Sequence, residues 1–180
     1  MEIVPVEIEG LLLVKSQTYF DDRGYFIETY NQALYNERGL SVDFKQDNLS
    51  MSNKYVLRGM HLQNPPFEQG KLVRVLKGGV LDVVVDIRSK SPTYGKHYKV
   101  ELNDKNNWAL WIPPGFAHGF LSLADGTLFS YKCTNVYNKP SEDAILWDDP
   151  DLGIDWDVKN PIVSEKDRQA KLFKDFVSKF

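Results

Sequence analysis

Cysteine and histidine are scarce in this chain: one of the first, Cys133, and three of the second, His61, His97 and His118, in 180 residues. A single thiol excludes an internal disulfide framework. Cys133 sits in a strand-like run, so a buried structural thiol is expected. No apolar run is long enough to span a bilayer, and no basic segment followed by an apolar stretch opens the chain. No membrane partner is therefore expected, and the cytoplasm is the expected compartment. Neither sign of charge dominates: the formal net charge is -3, which gives no reason to expect nucleic acid as a partner. Glycine-rich phosphate loops of the Walker or Rossmann type, internal repeats and low-complexity linkers are all missing. What is present is 42% hydrophobic residues, enough for a real core in one domain over 1–180.

Short β-type runs separated by turn residues dominate. Leu11–Lys15, Tyr25–Tyr30, Phe44–Ser50, Tyr55–Gln63, Lys71–Leu76, Val80–Ile87, Tyr98–Leu102, Ala109–Ile112, Gly119–Leu123 and Thr127–Asn135 read as strands of a sandwich or barrel. Lys77-Gly78-Gly79 reads as a tight hairpin between two of them. In Val80–Ile87, Asp82 and Asp86 share a face with Val80 and Val84, so that face meets either solvent or a polar pocket. Gln32–Arg38 is a short helix stopped by Gly39. A C-terminal helix is expected over about 164–180, capped by Ser164, with Ala170, Phe173, Val177 and Phe180 at helical spacing.

The candidate chemistry begins at His61. His61 and Gln63 are two apart and share a strand face. Many small β-barrels carry His-x-His there and hold a metal; here the second imidazole is an amide. An ion held by His61, Glu68 and His118 with Gln63 is the metal alternative, weakened because glutamine is a poor transition-metal ligand. Proton transfer fits separated histidines better. Strict alternation puts Arg58 and His61 on opposite faces, so a bulge at Gly59 is required if both serve one pocket. Lys71 shares a face with Val73 and Val75, and a lysine among apolar residues needs an anionic partner; a surface lysine at a strand start is the plain alternative. Tyr131 is either a packing aromatic or a proton donor. Asp167, three residues after Ser164, either completes a helix cap or orients a histidine. Arg23, in Asp21-Asp22-Arg23-Gly24, either makes the turn or holds an oxyanion. His97 reads as a surface residue.

The motifs occur in an order that resembles a known family. They are Asp21-Asp22-Arg23-Gly24-Tyr25-Phe26-Ile27-Glu28, Gln46-Asp47-Asn48-Leu49-Ser50, Val56-Leu57-Arg58-Gly59-Met60-His61-Leu62-Gln63 and Gln69-Gly70-Lys71-Leu72-Val73-Arg74. Then follow Asp82-Val83-Val84-Val85-Asp86-Ile87-Arg88, Trp111-Ile112-Pro113-Pro114-Gly115-Phe116-Ala117-His118-Gly119-Phe120, Tyr131-Lys132-Cys133-Thr134 and Ser164-Glu165-Lys166-Asp167. From about Val4 to Asp167 the chain resembles the dTDP-4-dehydrorhamnose 3,5-epimerases. The resemblance implies a mostly β, cupin-type antiparallel barrel (jelly roll), a homodimer, and neither metal nor cofactor. It implies a dTDP-4-keto-6-deoxy sugar substrate, dTDP-4-dehydro-6-deoxy-D-glucose, inverted at C3 and C5. His61 would be the base, Asp167 its dyad partner, Tyr131 the proton donor and Lys71 the support for the oxyanion. Arg23, Phe26, Glu28, Gln46, Asp47, Asn48, Arg58, His118, Glu142 and Lys166 fall on positions resembling nucleotide-sugar contacts, and Tyr137 on an aromatic that stacks on thymine. Met60 replaces a more usual leucine, a volume-conserving change, and Val136 stands where an aromatic is common.

Such residues suffice chemically. The 4-ketone acidifies the C–H bonds at C3 and C5, and the charge of the resulting enolate gathers on the C4 oxygen. A base, an acid on the opposite face and a cation near that oxygen complete the reaction. Rival readings are an epimerase acting on one carbon only, a 3,4-ketoisomerase, and a non-catalytic sugar-nucleotide binding protein.

Overall fold

The alternating apolar runs fold into two sheets laid face to face. The computed structural model describes residues 1–180. The strands are β1 (Glu2–Pro5), β2 (Leu12–Lys15), β3 (Thr18–Asp21), β4 (Gly24–Ile27), β5 (Gln46–Ser52), β6 (Val56–Gln63), β7 (Lys71–Lys77), β8 (Gly79–Asp86), β9 (His97–Asn103), β10 (Trp108–Ile112), β11 (Phe116–Ser122), β12 (Thr127–Cys133), β13 (Glu142–Ala144) and β14 (Ile162–Val163). One sheet runs β1-β2-β10-β7-β12-β5; the other runs β13-β6-β11-β8-β9, with β14 parallel to β6 and the remaining pairs antiparallel. Hairpin β3–β4 stands apart from both. This is the expected cupin-type jelly roll, with the two sheets as its walls.

Three apolar clusters explain the layering. Val73, Val75, Leu110, Ile112 and Phe129 of the first sheet meet Val80, Val84, Leu102, Phe116 and Phe120 of the second. The outer face of the second sheet, with Leu57, Val83, Val85 and Leu121, is covered by Ile145, Leu152, Trp156 and Phe176. The outer face of the first, with Val14, Leu72, Ala109 and Trp111, is covered by Tyr35 and Leu40 around helix α1 (Gln32–Glu37). Strand β8 is therefore buried on both faces, and its alternation divides two cores rather than a core from solvent.

Two expectations are corrected. Lys77-Gly78-Gly79 is not a hairpin: β7 and β8 belong to different sheets, so the chain turns a corner there. Gly78 has φ +81, and a Cβ on it would lie 2.5 Å from Thr127 Oγ1; only glycine fits the corner. Nor is 164–180 a helix. Ser164 caps as expected, its Oγ accepting from Asp167 N at 3.1 Å, but helix α2 is only Glu165–Arg168. Beyond it the chain is captured by other elements: Leu146 N donates to Lys171 O at 2.7 Å and Phe173 N to Asp149 Oδ2 at 2.7 Å. Only a 3-10 turn at Phe173–Asp175 remains helical. The tail lies along the second sheet as a strap, burying Phe176 and leaving Val177 exposed.

Candidate active site

The bulge required by sequence alternation is present in β6. His61 pairs with His118 and Arg58 with Phe120, so Gly59 and Met60 together oppose Gly119 alone. The strands nearly touch there: a Cβ on Gly59 would lie 2.5 Å from Gly119 Cα. The extra residue turns Arg58 and His61 to the same side, and both line a cavity of about 510 Å³. Lys71, His118, Tyr131, Lys166 and Asp167 line it too. A second cavity of about 320 Å³ shares His61, Lys71 and Tyr131 and adds Gln46, Asn48, Gln63, Gln69, Tyr137 and Glu142. Those three shared side chains stand where the two lobes join.

Asp167 divides between the two readings, its backbone in the cap and its carboxylate on the histidine. Its backbone N–H completes the cap, and its Oδ1 accepts from His61 Nε2 at 2.7 Å. Burial pushes the Asp167 carboxyl up, but the bond and charge of His61, with the Gly59 N–H and Ser164, outweigh it and hold the group below its ordinary value. His61 and Asp167 belong to the second sheet and the helix behind it. Lys71 and Tyr131 face them from β7 and β12 of the first sheet.

Lys71 points into both lobes, with no carboxylate paired to it. Burial lowers its pKa, against the opposing pull of Cys133, Asp82 and Glu142. Burial, with Cys133 beside it, raises the Tyr131 phenol, against Arg58. A lysine without a protein partner and a tyrosine that keeps its proton thus share one cavity wall. Burial likewise raises the Cys133 thiol, as befits a structural cysteine.

Glu142 organises the rim. Lys166 Nζ lies 2.5 Å from its Oε1, and Tyr137 Oη donates to Oε2 at 3.1 Å. Arg58 donates through Nε to Ser52 Oγ at 3.2 Å and through Nη2 to Met51 O at 3.3 Å, leaving guanidinium hydrogens for an anion. Gln46 Nε2 donates to Asn48 Oδ1 at 3.0 Å.

Four expected contact residues lie elsewhere. Asp47 points to the outer face of its strand and pairs with Lys132 at 3.0 Å, because its neighbours Gln46 and Asn48 take the inner face. Arg23, Phe26 and Glu28 lie on or beside hairpin β3–β4, and none lines either lobe. Arg23 is held by Asp21 at 2.5 Å, and the Phe26 residue is 67% exposed. His61, Glu68 and His118 do not gather into a ligand set: each histidine is bonded to a different aspartate.

Spacing alone did not single out Asp82 or Ser50. The signal for Asp82 was an acid on an apolar strand face; it accepts from His118 Nε2 at 2.9 Å, and its other oxygen has no partner. Ser50 lines the larger lobe with an unpartnered hydroxyl; it closes the Gln46–Ser50 motif, but nothing in the spacing gave it a role.

The family pattern described as dTDP-4-dehydrorhamnose 3,5-epimerase matches residues 5–175. The chain belongs to that family. It is 48% identical to the dTDP-4-dehydrorhamnose 3,5-epimerase of Methanothermobacter thermautotrophicus over 93% of this chain and 92% of the relative. It superimposes on the Legionella pneumophila dTDP-6-deoxy-D-glucose-3,5-epimerase, solved with dTDP-4-keto-L-rhamnose, with TM-score 0.93 and 44% identity over 98% and 94% of the two chains. A 3'-monoepimerase of Streptomyces bikiniensis, solved with dTDP-quinovose, gives TM-score 0.88 and 33% identity over 93% and 86%. Epimerases acting on one carbon and on two thus share this scaffold. No helix is long and apolar enough to cross a membrane.

Proposed function

We propose that this epimerase inverts C3 and C5 of dTDP-4-dehydro-6-deoxy-D-glucose, giving dTDP-4-dehydro-L-rhamnose. The observation that carries the reading is the His61–Asp167 pair on one wall of a cavity with Lys71 and Tyr131 on the other. His61 takes the proton from carbon. The electron pair moves into the C3–C4 or C4–C5 bond, and negative charge develops on the C4 oxygen. The Lys71 ammonium meets that charge, a donor worth about 3–4 kcal/mol in a comparable oxyanion site. Tyr131 returns a proton from the opposite face, and solvent exchange resets both groups. Asp167 fixes the His61 tautomer and stabilises the imidazolium, as an aspartate does in a hydrolase triad. The ketone supplies the acidity, so the steps need no metal or cofactor. Arg58, His118, Glu142 and Lys166, with Gln46 and Asn48, bind the nucleotide-sugar, and Tyr137 offers thymine a flat platform.

The same reading makes the chain a homodimer in the cytoplasm. Tyr19, Phe20, Tyr25 and Phe26 leave hairpin β3–β4 with an uncovered aromatic surface, and large exposed apolar patches mark interaction sites. A second copy would cover it and bring Arg23, Phe26 and Glu28 to a site they do not reach in their own chain. Sedimentation as a monomer at micromolar concentration would sink the dimer. The unpaired Cys133 accords with a reducing compartment.

The deciding experiment is proton NMR of the substrate with enzyme in D₂O, with a 4-ketoreductase trapping product. Deuterium at C3 and C5 and an L-rhamnosyl nucleotide are expected. Label at one carbon would make the chain a mono-epimerase, and label at neither would remove the function.

A further inference from the structure

The loop 135–138 carries Tyr137 at the rim of the smaller lobe. It has little packing of its own, since Val136 and Tyr137 are both about half exposed. Side-chain amides hold it instead. Gln69 Nε2 donates to Asn135 O at 2.8 Å. Gln63 Nε2 donates to Val136 O at 3.2 Å and to Phe67 O at 2.6 Å, while its Oε1 accepts from Asn138 N at 2.7 Å. Gln46 Oε1 accepts from Tyr137 N at 2.7 Å. Every residue of the loop is therefore tied by its backbone to one of three glutamines.

Gln63 follows His61 by two residues on the same strand, and its environment explains the amide. The side chain is buried and faces two carbonyl oxygens and one N–H. An amide offers two donors and an acceptor; a neutral imidazole has one donor, and a carboxylate has none. Of these three groups, only the amide satisfies all three neighbours.

We propose that Gln63 and Gln69 are positioning residues that hold the loop 135–138 in its ligand-ready shape, so that Tyr137 meets the nucleobase without first being ordered. This rests on the reading of Tyr137 as the thymine platform. A loop ordered beforehand does not lose its freedom at the moment of binding, and affinity rises accordingly.

The test is calorimetric titration with dTDP, together with steady-state kinetics on the 4-keto sugar nucleotide. Gln63→Glu is nearly isosteric but turns an oxygen toward two carbonyls. It should weaken dTDP on the order of tenfold, a typical stacking loss, and should raise KM more than it lowers kcat. Tyr137→Ala should weaken dTDP similarly, and the double variant should bind no worse than Tyr137→Ala alone. Parental dTDP affinity in Gln63→Glu, or losses that simply add in the double variant, would overturn the proposal. Parental affinity in Tyr137→Ala would instead remove the platform reading, and the inference with it. Thermal melting monitors folding; should Gln63→Glu not fold, Gln69→Glu breaks the bond to Asn135 and is judged by the same outcomes.

Discussion

His61 and His118 face each other across the β6–β11 ladder, and each gives Nε2 to a carboxylate from a different element. His61 meets Asp167 of α2 at 2.7 Å; His118 meets Asp82 of β8 at 2.9 Å. Access separates the two pairs. The His61 side chain is 33% exposed and the His118 side chain 7%, with His118 stacked on Phe129 at 22°. Both line the same cavity, but the ring of His61 stands more open to it, as the proposed base requires, while His118 offers it only a small face. An ionised carboxylate only accepts hydrogen bonds. His61 Nε2 therefore carries the hydrogen, and Nδ1, which has no protein partner, keeps the basic lone pair.

Asp167→Asn keeps the shape and removes the charge. It should cut deuterium wash-out at both carbons roughly 10²–10⁴-fold, the span of a positioned acid–base group, while dTDP titration shows little change. Wash-out at the parental rate would mean that Asp167 serves only as a cap.

Tyr131→Phe separates the two halves of the reaction. Proton removal should survive better than inversion, so trapped product should fall on the order of 10²-fold while wash-out falls less. Equal losses would assign Tyr131 to another task.

The alkaline limb of kcat should belong to Lys71. Burial lowers its pKa, so the ammonium that stabilises the enolate loses its proton below the ordinary lysine range. Burial moves Tyr131 the other way, and its proton stays through that window. A pH–rate profile of Lys71→Arg, which keeps the charge, should show the limb displaced upward; an unmoved limb would exclude Lys71 as its source.

Asp86 is a stability element away from the site. It is fully buried, and burial alone would raise its pKa. Bonds from Arg88, Ser91 and Thr93 outweigh this and pull it from 3.8 to about 2. A carboxylate depressed in this way stabilises the fold above its unfolded pKa, and the contribution fades as pH falls from 3.8 through about 2. Asp86→Asn should cost about 2 kcal/mol at pH 7, measured by urea unfolding. The gap from the parent should narrow below pH 4; a constant gap would mean that charge is not the cause.

Period was legible in the sequence, and partnership was not. The alternation in Val80–Ile87 showed two faces, and the crowding of Arg58 and His61 required a bulge that the structure contains. Lys77-Gly78-Gly79 has the local chemistry of a hairpin. Its corner is decided by Asp104, whose Oδ2 accepts from Gly78 N at 2.7 Å, and by Thr127 pressed against Gly78, both distant in sequence. The tail failed likewise: Phe173 and Phe180 recur at helical spacing, but Leu146 and Asp149 bind the strap through contacts that no local window contains. At the site, the four reactive side chains were named from motif and resemblance. That His61 and its helix-borne partner Asp167 face Lys71 and Tyr131 from the opposite sheet could not be read from spacing.

That division makes the hydrophobic core a caliper. His61 and Tyr131 ride on separate walls, and the walls are held apart by Phe120 stacked on Phe129 at 4.2 Å and by Val84 beside them. Facing sheets sit about 10 Å apart. The thickness of the apolar side chains packed between the walls thus sets the gap between the group proposed to take a proton and the group proposed to supply one.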